Sequence, residues 1–206
     1  MNLKPKFITL EGVDGAGKST HINFIKKYLT DKNLKYIFTR EPGGTVLGEK
    51  LREILLHDEI KPETESLLMF AARNEHVQEI IKPNLEKGIN VISDRFTDST
   101  YAYQSGGKNV EISKITILKD WVHKNLKPDL TILFDLPIEV SLKRLKKTND
   151  SLDKFEKEEA DFHKRIRKSY LNLAKKDSGR FKVINSDQNI NAVETEIYKI
   201  LDKLYS

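Results

Sequence analysis

The run Gly12-Val13-Asp14-Gly15-Ala16-Gly17-Lys18-Ser19 fits the pattern G-x-x-x-x-G-K-[ST] at every fixed position. The chemistry this pattern serves is the holding of a nucleoside triphosphate. Backbone N–H groups must turn inward around phosphate oxygens, and side chains larger than glycine's would block that turn. Lys18 brings a point charge to the β- and γ-phosphates, and the Ser19 hydroxyl is a ligand for Mg²⁺. A helix starting near Lys18 would aim its positive end at the same anion. The motif follows the apolar run Phe7-Ile8-Thr9-Leu10 and precedes an amphipathic stretch, the strand–loop–helix setting that the pattern requires.

Phosphate binding alone does not separate a kinase from a GTPase or a motor. Further residues point to transfer onto a second substrate. Asp14 lies inside the loop, where an acid would face an anion. That placement makes sense if it receives a hydroxyl or a metal-bound water from the second substrate. Asp94-Arg95 closes a predicted strand over 89–93. An acid there can hold Mg²⁺ through water, and the adjacent arginine can clamp a phosphate with both arms of its fork. Asp135 ends another predicted strand and competes for the metal role. Arg40, Arg52, Arg73, Arg95 and Arg144 fall in segments expected near one edge. Phosphoryl transfer needs two anions brought together and charge spread over the group in flight, which arginines supply. No N/T-K-x-D tetrapeptide of the kind a GTPase uses to read its base is present.

These residues must be positioned by alternating elements. Phe7–Leu10, Tyr36–Phe38, Val91–Ile92, Leu130–Phe134 and Phe181–Ile184 are short, apolar and mostly rich in β-branched or aromatic residues, so they predict strands. Residues 18–30, 155–176 and 190–204 carry apolar stripes at spacings of three, four and seven and predict helices, the second with Phe155, Phe162, Ile166, Tyr170 and Leu173 on its buried face. Strands alternating with helices predict a parallel sheet covered on both sides. Ligands then sit beyond the carboxyl ends of the strands, which selects 11–20, 40–45, 94–104 and 135–137. The polar stretch 146–154 reads as a mobile loop between two helices.

The chain has 206 residues, 38% of them hydrophobic and 33% charged, and a net charge of +5. This suits a soluble globular protein with one core or two small ones. Acids and bases are interleaved, as in Lys154-Phe155-Glu156-Lys157-Glu158-Glu159, so the basic balance predicts a solvated surface rather than a nucleic-acid stripe. No apolar run approaches membrane-spanning length, and the first residues lack the features of a signal peptide. With no cysteine, disulfides, thiolate metal sites and a cysteine nucleophile are excluded, and a cytoplasmic location is expected.

Four segments, the phosphate loop among them, carry a resemblance to the thymidylate kinase family over nearly the whole chain. The stretch from Glu11 through Gly12 to Thr20 looks like that family's P-loop, acid included. Thr39-Arg40-Glu41-Pro42-Gly43-Gly44-Thr45 looks like its T-R-E-P-G-G-T segment. Asp94-Arg95-Phe96 with Ser99-Thr100-Tyr101-Ala102-Tyr103-Gln104 is similar to its D-R-[FYH]…S-T-x-A-Y-Q signature, and Phe70-Ala71-Ala72-Arg73 to a segment at its acceptor site. The resemblance implies an α/β fold, the P-loop NTPase three-layer sandwich, with a five-stranded parallel sheet in order 2-3-1-4-5, helices on both faces and a short lid at about 146–154. It implies one kinase domain over 1–206 and a homodimer, without nucleic acid or membrane as partner. The reaction implied moves the γ-phosphoryl group of ATP onto dTMP with Mg²⁺.

Roles follow from the same resemblance. Gly12, Val13, Asp14, Gly15, Ala16, Gly17, Lys18, Ser19 and Thr20 would hold ATP, with Arg144 against adenine and 185–188 near the same base. Ser19 and Asp94 would support the metal. Asp14 would meet the sugar 3′-hydroxyl of dTMP. Arg95 and Arg52 would hold its phosphate, and Glu41 and Pro42 would belong to the same acceptor site. Phe70 would stack on thymine, while Arg73 and Gln104 would hydrogen-bond its edge. Ser99 and Tyr103 would shape the sugar and base pocket, and a tyrosine near C2′ would exclude a ribose hydroxyl. The family draws a basic transition-state contact from the P-loop or from the lid. The P-loop position is Gly15 here, and the lid reads Leu152-Asp153-Lys154-Phe155-Glu156, with lysine where arginine is common. Either Lys154 or Arg52 would therefore serve. The rival readings are a kinase of another nucleotide or deoxynucleoside, a non-catalytic nucleotide-binding module, and an ATPase stimulated by nucleic acid.

Overall fold

The computed structural model describes residues 4–148, 153–156 and 158–206. Along the chain run β1 (Phe7–Glu11), α1 (Lys18–Asp31), β2 (Tyr36–Arg40), α2 (Val46–His57), α3 (Pro62–His76), α4 (Lys82–Glu86), β3 (Asn90–Asp94), α5 (Thr97–Thr100), α6 (Ile112–His123), β4 (Leu130–Asp135), α7 (Ile138–Thr148), α8 (Ala160–Lys176), β5 (Phe181–Asn185) and α9 (Ile190–Tyr205). The strands form one parallel sheet in the order β2-β3-β1-β4-β5, as the resemblance implied.

Successive residues of the central strands feed opposite faces, as the period of two demands. Phe7 and its register partner Val91 pack with Val77, Ile81 and Phe96, whereas Ile8, Leu10 and Ile92 pack with Ile25 and Leu29 of α1 and Val193 and Ile197 of α9. Each strand ends on a polar residue: Glu11, Arg40, Asp94, Asp135 and Asn185. Register sets Arg40 beside Asp94 and Asp135 beside Asn185, so one edge of the sheet gathers the chemistry.

Local signals start the helices. Pro62 opens α3, where its fixed φ suits the first turn. The side chains of Thr45 and Asn189 cap α2 and α9 by accepting from the N–H groups of Gly48 and Ala192. Two π-helical stretches, Val77–Ile81 and Tyr101–Gly107, interrupt the α-helical geometry. Such bulges frequently mark functional sites, and the second carries Tyr103 and Gln104.

The helix expected over 155–176 begins at Ala160. Phe155 is buried by another route. The Asp153 carboxylate accepts from the N–H groups of Phe155 (2.8 Å) and Glu156 (3.0 Å), closing a turn that delivers the phenyl ring edge-on to Tyr103. Of the expected lid, 149–152 lie outside the described residues, α7 continues to Thr148, and Asp153 and Lys154 belong to this turn.

Glu11 joins the elements at the centre of the edge. It is fully buried at the end of β1. Its Oε1 accepts from the backbone N–H of Phe96 (2.8 Å), and its Oε2 accepts from the hydroxyls of Ser99 (2.6 Å) and Tyr170 (2.8 Å). The strand carrying the phosphate loop is thereby tied to the segment after β3 and to α8. Burial and the nearby Asp98 raise the Glu11 carboxyl from 4.5 to about 7, against the pull of Arg95. A carboxyl raised on folding takes up a proton between those two values, so its contribution to stability falls as pH rises through that window. His123, whose buried imidazole is held at about 4 instead of 6.5, gives the opposite slope. The measurement is therefore a difference. Urea unfolding at pH 5 and pH 8 should show the unsubstituted chain losing on the order of 2 kcal/mol relative to Glu11→Gln. A difference that stays flat or grows in favour of the unsubstituted chain would refute the assignment.

Candidate active site

The phosphate loop between β1 and α1 takes conformations that need glycine. Gly12, Gly15 and Gly17 have φ of 146°, 74° and 89°, and a Cβ on Gly12 would lie 2.5 Å from the carbonyl oxygen of Phe134. Gly17 precedes α1 without a side-chain cap, so the first N–H groups of the helix are left for an anion. Lys18 is buried and donates from Nζ to the carbonyls of Gly12 (3.2 Å) and Val13 (3.4 Å). Burial and Arg95 lower its pKa, while Asp94 and Asp14 pull the other way.

A cavity opens over this loop. Its walls include Gly15, Ala16, Gly17, Lys18, Ser19 and Thr20, then Asp94, Arg144, Ser186 and Gln188. Arg144 donates to the carbonyl of Ser186 (3.0 Å), which brings α7 against the loop after β5. Asp94 Oδ1 is buried without a hydrogen-bond partner among the described residues, and Asp94 shares this cavity with Ser19. An orphaned carboxylate oxygen beside a hydroxyl and a phosphate cradle fits Mg²⁺, which keeps most of its water and takes few protein ligands. Asp135, the rival, accepts both arms of Arg167 at 2.7 and 2.9 Å and does not line the cavity.

A second cavity lies beside the first. Met69 and Phe96 give it apolar walls, and Pro42, Ser99, Tyr103 and Gln104 line it too. Arg73, almost wholly buried, donates from Nε to Glu41 (2.7 Å) and from NH2 to Thr100 (3.0 Å), while its NH1 is buried with no partner among the described residues. Burial pushes the Glu41 carboxyl up, but Arg73 and His76 outweigh it and leave it below the ordinary value. The site thus holds an ionised carboxylate that keeps Arg73 in place and a donor with nothing yet to donate to.

Phe70, expected to stack on the base, is not in this wall. It packs with Val110 and Ile115 in a separate buried cluster, its ring under the Arg73 guanidinium at 4.6 Å. Met69, one position earlier, lines the cavity instead. A one-residue step on a helix turns the side chain by about 100°, so Met69, four residues before Arg73, lines the cavity with it, while Phe70, three before, packs beneath the guanidinium in the buried cluster.

Four residues line both cavities: Asp14, Glu41, Arg52 and Arg95. Arg95 has a φ of 70°, in the left-handed region. Its NH2 donates to Asp14 and to the Tyr103 hydroxyl (2.9 Å), and its NH1 donates to Ser99 and Tyr170 (both 3.1 Å). Tyr103 also donates to Asp14 at 2.7 Å. Burial raises the Asp14 carboxyl, but Arg95 and Lys18 override that and hold it at about 2. Arg52 donates to the carbonyl of Pro42 (3.0 Å), and among the described residues no carboxylate lies within ion-pair distance of it.

Lys154 stands elsewhere. Its ammonium pairs with Glu65 at 2.9 Å and donates to the carbonyl of Asp58 at 2.8 Å, and it lines neither of these two cavities. The reading of residue types missed Met69, Glu11 as the tie beneath Arg95, and Tyr170. Of these, only Met69 left a sequence signal, its helical spacing from Arg73.

The geometry agrees with what the chain is similar to. The family model described as Thymidylate kinase matches residues 10–197. The thymidylate kinase of Methylobacillus flagellatus is 51% identical over 97% of this chain and 98% of its own, and that of Thiobacillus denitrificans is 50% identical over 99% and 100%. The crystal structure of thymidylate kinase from Ehrlichia chaffeensis superposes with a TM-score of 0.79 at 35% identity, covering 97% of this chain and 99% of that one. With two cavities meeting at a wall of two arginines and two carboxylates, and with relatives matching from end to end, the chain belongs to the thymidylate kinase family.

Proposed function

We propose that this chain, acting as a single kinase domain, transfers the γ-phosphoryl group of ATP to the phosphate of dTMP, giving ADP and dTDP. The observation that carries the reading is the shared wall: Asp14, Glu41, Arg52 and Arg95 border the phosphate-loop cavity and the second one alike. A wall common to two anion sites is what direct transfer between two phosphates needs.

An oxygen of the dTMP phosphate attacks the γ-phosphorus in line, and the bond to the β-phosphate oxygen breaks. The attacking oxygen is ionised at neutral pH, so no strong general base is required. The chain's part is to position and to balance charge. Lys18 and the loop N–H groups hold the donor phosphates, with Arg144 and the loop after β5 along the donor's far side. Ser19 and Asp94 would hold Mg²⁺, which neutralises charge on the donor phosphates. Arg95 is already balanced by Asp14, so it anchors the acceptor without adding much net charge. Asp14, ionised throughout the working range, accepts from the sugar hydroxyl. Arg73 NH1 and Gln104 meet the edge of the base between Met69 and Phe96. Arg52, which lines both cavities and makes no ion pair among the described residues, is assigned the contact to the transferring group, in place of Lys154.

Ile117 and Trp121, one turn apart on α6, are exposed, Trp121 by 83%, and Leu67 on the adjoining α3 is exposed as well. This face supports pairing with a second copy. Among the described residues no helix is long and apolar enough to cross a membrane. With ATP as donor and no cysteine in the chain, the cytoplasm is the proposed location.

ADP release coupled to a reporter, with ATP, Mg²⁺ and each nucleoside monophosphate in turn, tests the reaction. Strong turnover with dTMP and little with AMP, GMP or CMP is expected, and preference for another acceptor would sink the thymine assignment. Arg52→Ala should lower kcat by about 10²–10³-fold, whereas Lys154→Ala should lower it less than about tenfold. The reverse order would return the transition-state role to Lys154. Sedimentation should give twice the chain mass, and Trp121→Glu should shift it to one chain.

A further inference from the structure

Glu65 belongs to neither cavity wall, yet it is fully buried on α3 and gathers more partners than most side chains around it. Its Oε1 accepts from the amide Nε2 of Gln104 at 3.0 Å. Its Oε2 is paired with Lys108 and with Lys154, both at 2.9 Å. Glu65, Met69 and Arg73 follow at intervals of four on α3, so they share one stripe, and Met69 and Arg73 line the acceptor cavity.

A glutamine amide has two faces of opposite character: NH₂ donates and the carbonyl accepts. Alone, it could present either to a ligand. A carboxylate paired with two ammonium groups accepts only, so it draws the NH₂ toward itself. The carbonyl oxygen is then the end of Gln104 left to turn to the acceptor cavity that Gln104 lines. On the other side, Arg73 is tied to Thr100, one turn before Gln104, with NH1 buried and unpartnered among the described residues. The cavity therefore offers one acceptor and one donor in fixed roles.

We propose that Glu65 is a positioning residue for acceptor specificity: by holding the Gln104 amide in one orientation, it makes the cavity accept a pyrimidine with a protonated ring nitrogen beside a carbonyl and reject one with an amino group beside a bare ring nitrogen. The proposal rests on the reading of this cavity as the nucleoside monophosphate site. Thymine matches both fixed groups, N3–H to the Gln104 carbonyl and a ring carbonyl to Arg73. Cytosine would set a lone pair against the carbonyl and an amino group against the guanidinium, a double mismatch of the kind that gives strong rejection. Lys154 in this account is a counter-ion that helps hold the Glu65 side chain in place. Lys108 shares that task, and both ammonium groups lie over the Phe155 ring, at 4.7 Å for Lys108 and 5.3 Å for Lys154.

The experiment measures kcat and KM for dTMP and dCMP in the unsubstituted chain, in Glu65→Gln, in Gln104→Met and in the double variant. Glu65→Gln can give or take a hydrogen bond, so it frees the Gln104 amide to turn. It should narrow the dTMP-to-dCMP ratio of kcat/KM by at least about tenfold, with the change falling on KM. In the Gln104→Met background the same substitution should narrow the ratio no further. A ratio unchanged in Glu65→Gln, or an equal further loss in the double variant, would overturn the proposal, because a merely structural carboxylate acts with or without Gln104. Absence of dTMP turnover in the unsubstituted chain would overturn the underlying reaction and this proposal with it. Should Glu65→Gln fail to fold, binding of dTMP, dCMP and 3-methyl-dTMP to the unsubstituted chain decides. Affinity at least about 100-fold weaker for both analogues is expected, and comparable affinity for either would overturn the fixed orientation.

Discussion

Arg95 sets a permanent positive charge between the half-buried Asp14 carboxylate and the fully buried Glu11 carboxyl. It meets Asp14 directly and Glu11 through the hydroxyls of Ser99 and Tyr170. Removing charges from water is expensive unless each is paired and hydrogen-bonded, and here the partners come from β1, from the segment after β3, from the second π stretch and from α8. The left-handed backbone at Arg95 is tolerated because this network over-determines it. The central constraint of the fold and the central cation of the site are the same group, so a shift of any element carrying a partner leaves Arg95 with a hydrogen bond or its balancing charge lost.

The arginines of the edge divide according to how they are balanced. Arg73 is matched by Glu41, Arg95 by Asp14 and Arg167 by Asp135. Matched groups act as rigid donors and as scaffolding. Arg52, on the wall between the cavities, makes no such pair among the described residues; it donates to the carbonyl of Pro42 instead.

How far the sequence could be read depended on the distance over which each feature is encoded. The phosphate loop is local, and its glycines, Lys18 and Ser19 could be named with the strand before and the helix after. The sheet order was legible through resemblance, since strand and helix alternation implies a parallel sheet but not which strands are neighbours. The expectation for Phe70 came from a motif matched by residue type, which does not carry helical phase, and on α3 it is Met69 and Arg73 that line the cavity. The helix expected from Phe155 began five residues late because a carboxylate at Asp153 closes a turn first, and burial at a seven-residue spacing looks the same from either conformation. Asp94 and Asp135 were equal candidates until Arg167, thirty-two positions away in sequence, was seen to occupy one of them.

The lysine at 154 shows how one departure from a family pattern can move a function between residues. An arginine presents a planar fork that seeks two oxygens of one acceptor, whereas a lysine is a compact point charge on a flexible stem. Glu65 Oε2 already receives Lys108, and a second compact ammonium can share that oxygen where a fork would need both. The lysine can therefore settle on Glu65 and the Asp58 carbonyl instead of reaching for phosphate. Once it has done so, the carboxylate beneath Gln104 carries two ammonium partners, and Lys154 stands away from the wall that Asp14, Glu41, Arg52 and Arg95 share.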